Sequence, residues 1–131
     1  MKSGFQKGDI RKHTFKVTQA DFATFQTGNV HEVCSTFALA REMEWSSRLF
    51  VLDMTEPHEE GVGTALEIVH HSPAFEGETL DFIATLFELK GHELICDIEV
   101  RVGERLVATG KTGQKILNKD KVSQIFTRLG K

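Results

Sequence analysis

The longest apolar segment of the chain runs from Thr36 to Met54, and its pattern predicts one central helix. Apolar side chains occupy much of the helical circumference instead of one narrow stripe, which is typical of a helix enclosed by other elements. Ser35 and Thr36 can cap its start, and Pro57 predicts that it ends just before that residue. At about 1.5 Å per residue the helix would be roughly 28 Å long, close to the width of a small domain.

Three charged residues interrupt the first half of this helix: Arg41, Glu42 and Glu44. We expect at least one of them to line a site or an interface, because the helix is otherwise so apolar. The alternative is that two of the three face water and pair along the helix surface.

Alternating apolar and polar residues predict five strands, one before the helix and four after it. They cover residues 10–17, 62–71, 79–89, 92–102 and 105–117. Connections of about two residues join the last three strands, which therefore pair antiparallel. Gly110 and Gly113 in the last strand predict a bulge or a close approach of two backbones.

The other segments carry weaker patterns. Residues 1–9 are predicted to be flexible, and residues 119–129 to form a short terminal helix. Residues 18–33, which include Phe22 and Phe25, are predicted to be an irregular loop, and such long loops often serve as lids or binding loops.

One long helix covered by one curled antiparallel sheet is an α+β arrangement known as the hot-dog fold. The 131 residues suffice for a single domain, 1–131, and not for two cores. A single sheet leaves one edge strand exposed, and pairing of two copies would cover that edge. The sequence therefore predicts a homodimer.

Composition and charge narrow the functional classes. The net charge of −3 argues against a nucleic-acid binder. The longest apolar run is far shorter than a membrane span, and the N-terminus lacks an apolar signal-peptide core, so no membrane association and a cytoplasmic location are expected. The two cysteines, Cys34 and Cys96, have neither metal-ligand spacing nor a disulfide framework. We expect no metal.

Basic residues are concentrated at the C-terminus. Within the total of −3, the segment from Lys111 onward has a net charge of +5 and the remainder −8. Its basic residues are Lys111, Lys115, Lys119, Lys121, Arg128 and Lys131, against Asp120 alone. Such a segment could hold a phosphorylated ligand, and the alternative is a solvated helix.

Three residues are candidates for chemistry, although common signatures such as G-x-S-x-G, the P-loop and H-E-x-x-H are missing. Thr36 lies where free helix amides could hold an oxyanion, or it simply caps the helix. Glu44, on a mostly apolar helix, is a candidate base or a solvent-facing residue. His70 is a candidate proton carrier or an incidental strand-end residue. His70 and His71 are neighbours on a strand, point to opposite faces and cannot share a metal.

The spacing of these residues resembles that of a known family. The pattern consists of Ser35-Thr36 … Met43-Glu44-Trp45 and Gly63-Thr64-Ala65 … His70 … Gly77. It is similar to the fluoroacetyl-CoA-thioesterase-like family of hot-dog proteins, in which Thr precedes Glu by eight residues and Gly, His and Gly follow at intervals of seven.

The resemblance implies a hot-dog dimer that hydrolyses an acyl-CoA with a small or medium acyl group, with no cofactor beyond the coenzyme A of the substrate. It implies catalytic roles for Thr36, Glu44 and His70, and a role for Gly63 in shaping the acyl pocket. His70 would act as general base or acid, and Glu44 would activate water or orient the others. Thr36 would hold the oxyanion or act as a transient nucleophile.

Further substrate contacts are expected from residues near these positions. Phe37 follows Thr36 directly and would line the acyl site, while Lys111 and Lys115 would meet the phosphates of coenzyme A. The acyl group itself does not carry over from the resemblance.

Two points in this assignment stay open. On a regular helix Thr36 and Glu44 would be roughly 12 Å apart along the axis, so Thr36 lies ahead of the helix or acts through the substrate. Glu42 could also be the working carboxylate instead of Glu44.

Two other functions fit the same fold. An enoyl-CoA hydratase or dehydratase is disfavoured because no Asp-x5-His spacing occurs, although His31 precedes the helix. A non-catalytic acyl-CoA binding module would account equally well for the basic tail. Cys34, two residues before Thr36, is expected to be a buried structural thiol.

Overall fold

The computed structural model describes residues 1–130, and the long apolar segment is its central helix. In chain order the elements are β1 (Ile10–Lys16), a 3-10 turn (Gln19–Asp21), β2 (Phe22–Phe25), β3 (Gly28–Cys34), α1 (Thr36–Met54), β4 (Glu59–His70), β5 (Thr79–Lys90), β6 (Glu93–Val102), β7 (Arg105–Asn118) and α2 (Lys119–Gly130). The predicted central helix, five strands and terminal helix are confirmed.

The ends of α1 follow the capping signals in the sequence. The hydroxyl of Ser35 accepts the N–H of Ala38 at 3.0 Å, which satisfies one of the free donors of the first turn. At the other end Thr55 has extended backbone geometry, with ψ of 138°, so the helix ends before Pro57, as predicted. Thr36 is therefore the first residue of the helix and not its cap.

Five strands form one antiparallel sheet in the order β1-β5-β6-β7-β4, and α1 packs across its concave face. This is the predicted hot-dog fold. β1 and β4 are the two edges of the sheet, so within residues 1–130 β4 pairs with a single strand, β7. An uncovered edge of this length is the feature that other proteins protect by pairing.

The core lies between α1 and the concave face of the sheet. Alternate residues of β5 and β6 point inward, because side chains alternate between the two faces of a strand. The largest fully buried side chains include Met43, Phe50, Met54, Leu80, Phe82, Leu86 and Leu94. Burial of each such side chain contributes about 1.5–3 kcal/mol to folding.

The outer side of α1 remains uncovered in the single chain. Phe37, Trp45 and Leu52 are 71%, 41% and 54% exposed. The predicted enclosure of the helix therefore holds for the half that faces the sheet, and an apolar surface is left open beside the β4 edge.

The expectation of an irregular loop at residues 18–33 is wrong. The segment contains the hairpin of β2 and β3, which turns at Gly28, where φ is +108°. Glycine adopts this left-handed geometry without steric cost. The register shifts twice, between Phe22 and Ala23 and between Ala23 and Thr24, so the alternation that would reveal a strand is broken.

Residues 1–9 contain no helix or strand but lie against the domain. The Met1 ammonium contacts the Glu59 carboxylate at 2.8 Å, and the Lys2 N–H donates to Met54 O at 2.7 Å. Phe5 packs against the core. The flexibility expected for this segment stays a prediction.

The two glycines of β7 allow the predicted close approach to β4. A Cβ at Gly113 would lie 2.7 Å from Thr64 Oγ1, and one at Gly110 would meet the Glu67 carbonyl. The β4–β7 register shifts between Gly63 and Ala65, which is the expected irregularity. Among residues 1–130, no helix combines the length and hydrophobicity that crossing a membrane requires.

Candidate active site

The start of α1 is fixed next to the end of β4 by backbone hydrogen bonds. The Cys34 N–H donates to Ala74 O at 2.8 Å, and the Ser35 N–H donates to Asp21 O at 2.7 Å. These bonds hold the chain just ahead of the helix between the 3-10 turn and the segment that follows β4. The helix N-terminus consequently faces the end of that strand.

The fold brings Thr36 and His70 together. Thr36 Oγ1 and His70 Nε2 are 2.9 Å apart, and both side chains are exposed at the rim of the helix N-terminus. In the tautomer protonated at Nδ1, the hydroxyl donates to Nε2. Within residues 1–130, no acceptor takes the N–H of Thr36 or of Phe37. A hydroxyl, an imidazole and two free amides therefore converge at one point.

The neighbouring histidine is turned away from this point. His71 Nε2 lies 2.8 Å from Thr109 Oγ1. The two histidines therefore contact different elements, His70 the start of α1 and His71 strand β7, and their opposite orientation stays a prediction.

A cavity of about 410 Å³ opens beside Thr36 and His70. Its walls come from β2, β3, the start of α1, the end of β4 and the segment that follows it. The lining residues are Ala23, His31, Val33, Cys34, Ser35, Thr36, Leu39, His70, His71, Ser72, Pro73 and Ala74. Sequence reasoning did not identify His31 and Ser72 as lining residues. His31 and Val33 of β3 both line the cavity, but the interrupted alternation of the hairpin gave no signal for this in the sequence.

Glu44 lies further along α1, against Gly63 of β4. A Cβ at residue 63 would be 2.6 Å from Glu44 Oε1, so only glycine leaves room for the carboxylate in this position. Both residues are exposed in the single chain. Since Thr36 is already helical, Glu44 lies about 12 Å away from it along the axis. Of the two alternatives left open by the sequence, the one in which Thr36 lies ahead of the helix is excluded, because Thr36 is the first residue of α1. One chain does not place Glu44 beside His70.

Glu42 is engaged elsewhere. Its carboxylate lies 2.8 Å from His13 Nε2 and accepts from Arg41 Nε at 2.7 Å, and it is largely buried. The interaction with Glu42 raises the pKa of the Arg41 guanidinium. These contacts tie α1 to β1 and leave Glu44 as the carboxylate beside β4.

The other predicted substrate contacts are spread over the surface. The Phe37 ring packs against Phe25 at the tip of the hairpin, with ring centroids 6.2 Å apart. Lys111 donates to Asp97 at 2.6 Å on the convex face of the sheet, and Lys115 is exposed opposite Val62. In the single chain the structure does not bring these two lysines to the cavity, and their role stays a prediction.

Both cysteines are buried free thiols. Burial is the main cause that raises the pKa of Cys34 to about 11 and that of Cys96 to about 12. A neutral thiol is a poor nucleophile, which fits the structural role expected for Cys34 although it lines the cavity. In the part of the chain that the structure describes, no three residues form a metal-binding cluster.

The fold is that of the hot-dog proteins, and the comparisons place the chain among the thioesterases of this fold. The sequence model of the fluoroacetyl-CoA-specific thioesterase family, FlK, matches residues 17–120. The chain belongs to this family and is a thioester hydrolase. A search of curated proteins found no match.

Solved structures with the same fold agree with this assignment. A hypothetical protein from Thermus thermophilus, a thioesterase superfamily member, is 29% identical with a TM-score of 0.91, over 95% of this chain and 93% of that one. The fluoroacetyl-CoA thioesterase FlK is 20% identical with a TM-score of 0.88, over 97% and 98%. A hot-dog-like protein from Thermanaerovibrio acidaminovorans is 21% identical with a TM-score of 0.86, over 97% and 95%.

Proposed function

We propose that this protein is a homodimeric acyl-CoA thioesterase for small or medium acyl groups, with Thr36, Glu44 and His70 as its catalytic group. The observation that carries the proposal is the 2.9 Å contact between Thr36 and His70 beside a cavity at a helix N-terminus. One variant of FlK has been solved with fluoroacetate and CoA and another with acetyl-CoA, which supports an acyl-CoA as the substrate here. A cytoplasmic location is part of the proposal.

The chemistry follows from what each group can do. His70 takes a proton from water or from the Thr36 hydroxyl, and histidine suits this near neutral pH. The free amides of the first helical turn stabilise the oxyanion that forms when the thioester carbonyl is attacked. Glu44 orients or activates the attacking water. The thiolate leaves readily, so the reaction needs neither a strong general acid nor a cofactor beyond the coenzyme A of the substrate.

The exposed edge of β4 supports the dimer. Every residue from 63 to 70 is exposed except the half-buried Ile68, and Leu66 and Val69 are 48% and 47% exposed. A second copy that pairs antiparallel with β4 would supply the missing hydrogen bonds and cover this apolar edge.

The same pairing would complete the site. A two-fold axis at the middle of the exposed stretch, between residues 66 and 67, sets residue 63 of one protomer opposite residue 70 of the other. Gly63, with Glu44 above it, would then lie one strand spacing, about 4.8 Å, from His70 of the partner subunit. We infer that each site combines Thr36 and His70 of one protomer with Glu44 of its partner.

A thiol-release screen tests the function. Short, branched, aromatic and long acyl-CoAs are supplied to the purified protein, and free coenzyme A and free acid are both quantified. We expect turnover on some of them, with a large loss in His70→Ala and Glu44→Ala at unchanged folding and no loss in Cys34→Ala. Full activity in the first two variants would overturn the assignment of residues.

The screen also separates the alternatives. Hydration of an enoyl-CoA without release of free thiol would identify a hydratase. Saturable binding of coenzyme A without turnover at any chain length would identify a binding module. Either result would overturn the proposal.

A further inference from the structure

A buried amide lies directly beneath the helical turn that carries Glu44. Gln114 of β7 is 1% exposed, and its Nε2 donates to Ser47 Oγ at 2.6 Å and to the Glu44 carbonyl at 3.3 Å. The Ser47 hydroxyl, itself fully buried, donates to the same Glu44 carbonyl at 2.9 Å. Three polar groups from two elements thus meet at the backbone of one residue.

We propose that Gln114 and Ser47 are positioning residues that hold Glu44 over Gly63, in the position that catalysis needs. The inference rests on the proposed function, in which Glu44 is the catalytic carboxylate. Neither residue touches the substrate in this proposal. They act through the backbone of Glu44, and we call the pair the Gln114–Ser47 clamp.

The register of the sheet places the clamp where it can do this. Gln114 is paired with Gly63 across the β4–β7 ladder. This pair of residues therefore serves Glu44 in two ways. Gly63 leaves space for its carboxylate, and Gln114 donates a hydrogen bond to its backbone carbonyl. A slide of α1 by a single residue step, about 1.5 Å, would break both relationships together.

A contribution to stability does not by itself explain why position 114 carries a glutamine. Gln114 Oε1 is buried without any hydrogen-bond partner in residues 1–130. Burial of an unpaired amide oxygen is unfavourable, and an apolar side chain of equal length would avoid that penalty. A residue that lowers stability and lies next to a catalytic group is typical of functional sites.

Two pairs of variants test the clamp, each with a matched control. Gln114→Met removes the amide at similar length, and Thr112→Val changes a buried polar residue of the same strand that makes no hydrogen bond to α1. Ser47→Ala removes the hydroxyl, and Ser46→Ala removes one that donates to Met43 O at 2.6 Å in the same buried turn.

We expect kcat to fall about 10- to 100-fold in Gln114→Met and Ser47→Ala, because small displacements of a catalytic group have effects of this size. KM should stay within about twofold, since the clamp does not contact substrate. The two controls should keep the kcat of the parent. Thermal midpoints are measured for all four, and Gln114→Met should be no less stable than the parent.

The decisive measurement repeats Gln114→Met in a Glu44→Gln background. If the clamp acts through Glu44, the second change should have little further effect on kcat. A full multiplicative loss would overturn the proposal, as would an unchanged kcat in Gln114→Met. In both of those cases a large loss in Glu44→Gln alone shows that the proposed function stands. An active Glu44→Gln would instead overturn the catalytic assignment and the clamp with it.

Discussion

Thr36 Oγ1 lies 2.9 Å from His70 Nε2, so the first residue of the central helix meets the last residue of edge strand β4. The two residues are 34 positions apart in the chain. Their contact depends on the backbone bonds of Cys34 and Ser35, which fix the start of α1. It combines a hydroxyl, an imidazole and free helix amides, the groups that the proposed attack on a thioester carbonyl would use.

Replacement of His70 should remove the general base without disturbing the fold. We expect His70→Ala to lower kcat by about 10²- to 10⁴-fold, the usual contribution of a positioned acid or base. His92→Ala is the matched control, because His92 is exposed in the turn between β5 and β6 and does not line the cavity. Steady-state thiol release from a good acyl-CoA substrate measures both. Equal losses in the two variants would contradict the role of His70.

The activity of Thr36 variants should depend on whether the new side chain keeps a hydroxyl. Thr36→Ser should keep most of the activity, and Thr36→Val, which preserves shape, should lose about 10²- to 10³-fold. Mass spectrometry of enzyme quenched during turnover then separates two roles for the hydroxyl. An acyl group on Thr36 identifies a nucleophile, and its absence identifies a group that holds the oxyanion. A fully active Thr36→Val variant would exclude both.

The regular elements could be predicted from the sequence because each is long and carries a local signal along most of its length. α1 has an explicit cap at Ser35 and a stop at Pro57, and β6 alternates along its whole length. The β2–β3 hairpin was not predictable in the same way, because two register shifts interrupt its alternation.

The candidate site was only partly predictable, because its parts come together through tertiary structure. Thr36 and His70 could be proposed from local chemistry and motif spacing. His31 lines the same cavity only because the hairpin folds over the start of α1. The separation of Glu44 from Thr36 follows from helix geometry. A homodimer could be predicted from the sequence, but the sheet order that leaves β4 at the edge, where the proposed pairing of protomers would occur, could not.

Substitution by alanine should lower activity at one glycine of β4 and stability at another. At Gly63 the new methyl group would meet the Glu44 carboxylate, a flexible group that can swing aside, so activity should fall with little change in stability. At Gly61 it would collide with the buried Val51 side chain, so stability should fall by about 1–3 kcal/mol. Thiol release and urea unfolding are compared for both variants. Loss of stability without loss of turnover in Gly63→Ala would show that the Glu44–Gly63 contact has no catalytic role.

The buried thiols should make the protein less stable in alkali. The pKa of Cys96 is raised from 9.0 to about 12, so the unfolded chain loses this proton first as pH rises. The thiol's contribution to stability is intact below about pH 9 and declines above it, by about 1.4 kcal/mol per pH unit until the folded thiol ionises. Urea unfolding at about pH 7 and about pH 10 measures the change. In Cys96→Ala the free energy of unfolding should decline less between these two pH values. A decline identical to that of the parent would show that other groups cause the loss of stability.

A mixture of two inactive variants should recover activity if each site is shared between protomers. Glu44→Gln and His70→Ala are purified separately, mixed, and allowed to exchange subunits. In a mixed dimer, one site then carries both changes and the other carries neither. Random exchange should restore about one quarter of the parent activity, because half of the dimers each have one intact site.

The same mixture distinguishes a site built within one chain. In that case every site of a mixed dimer would carry one change, and the mixture would stay as inactive as its components. The control is a mixture of His70→Ala with Thr36→Val. In the proposed dimer, each site takes both Thr36 and His70 from one protomer. That pair should not complement, because no site in the mixed dimer regains both Thr36 and His70. Recovery in the first mixture and none in the second would therefore place Glu44 across the subunit interface from the Thr36–His70 pair.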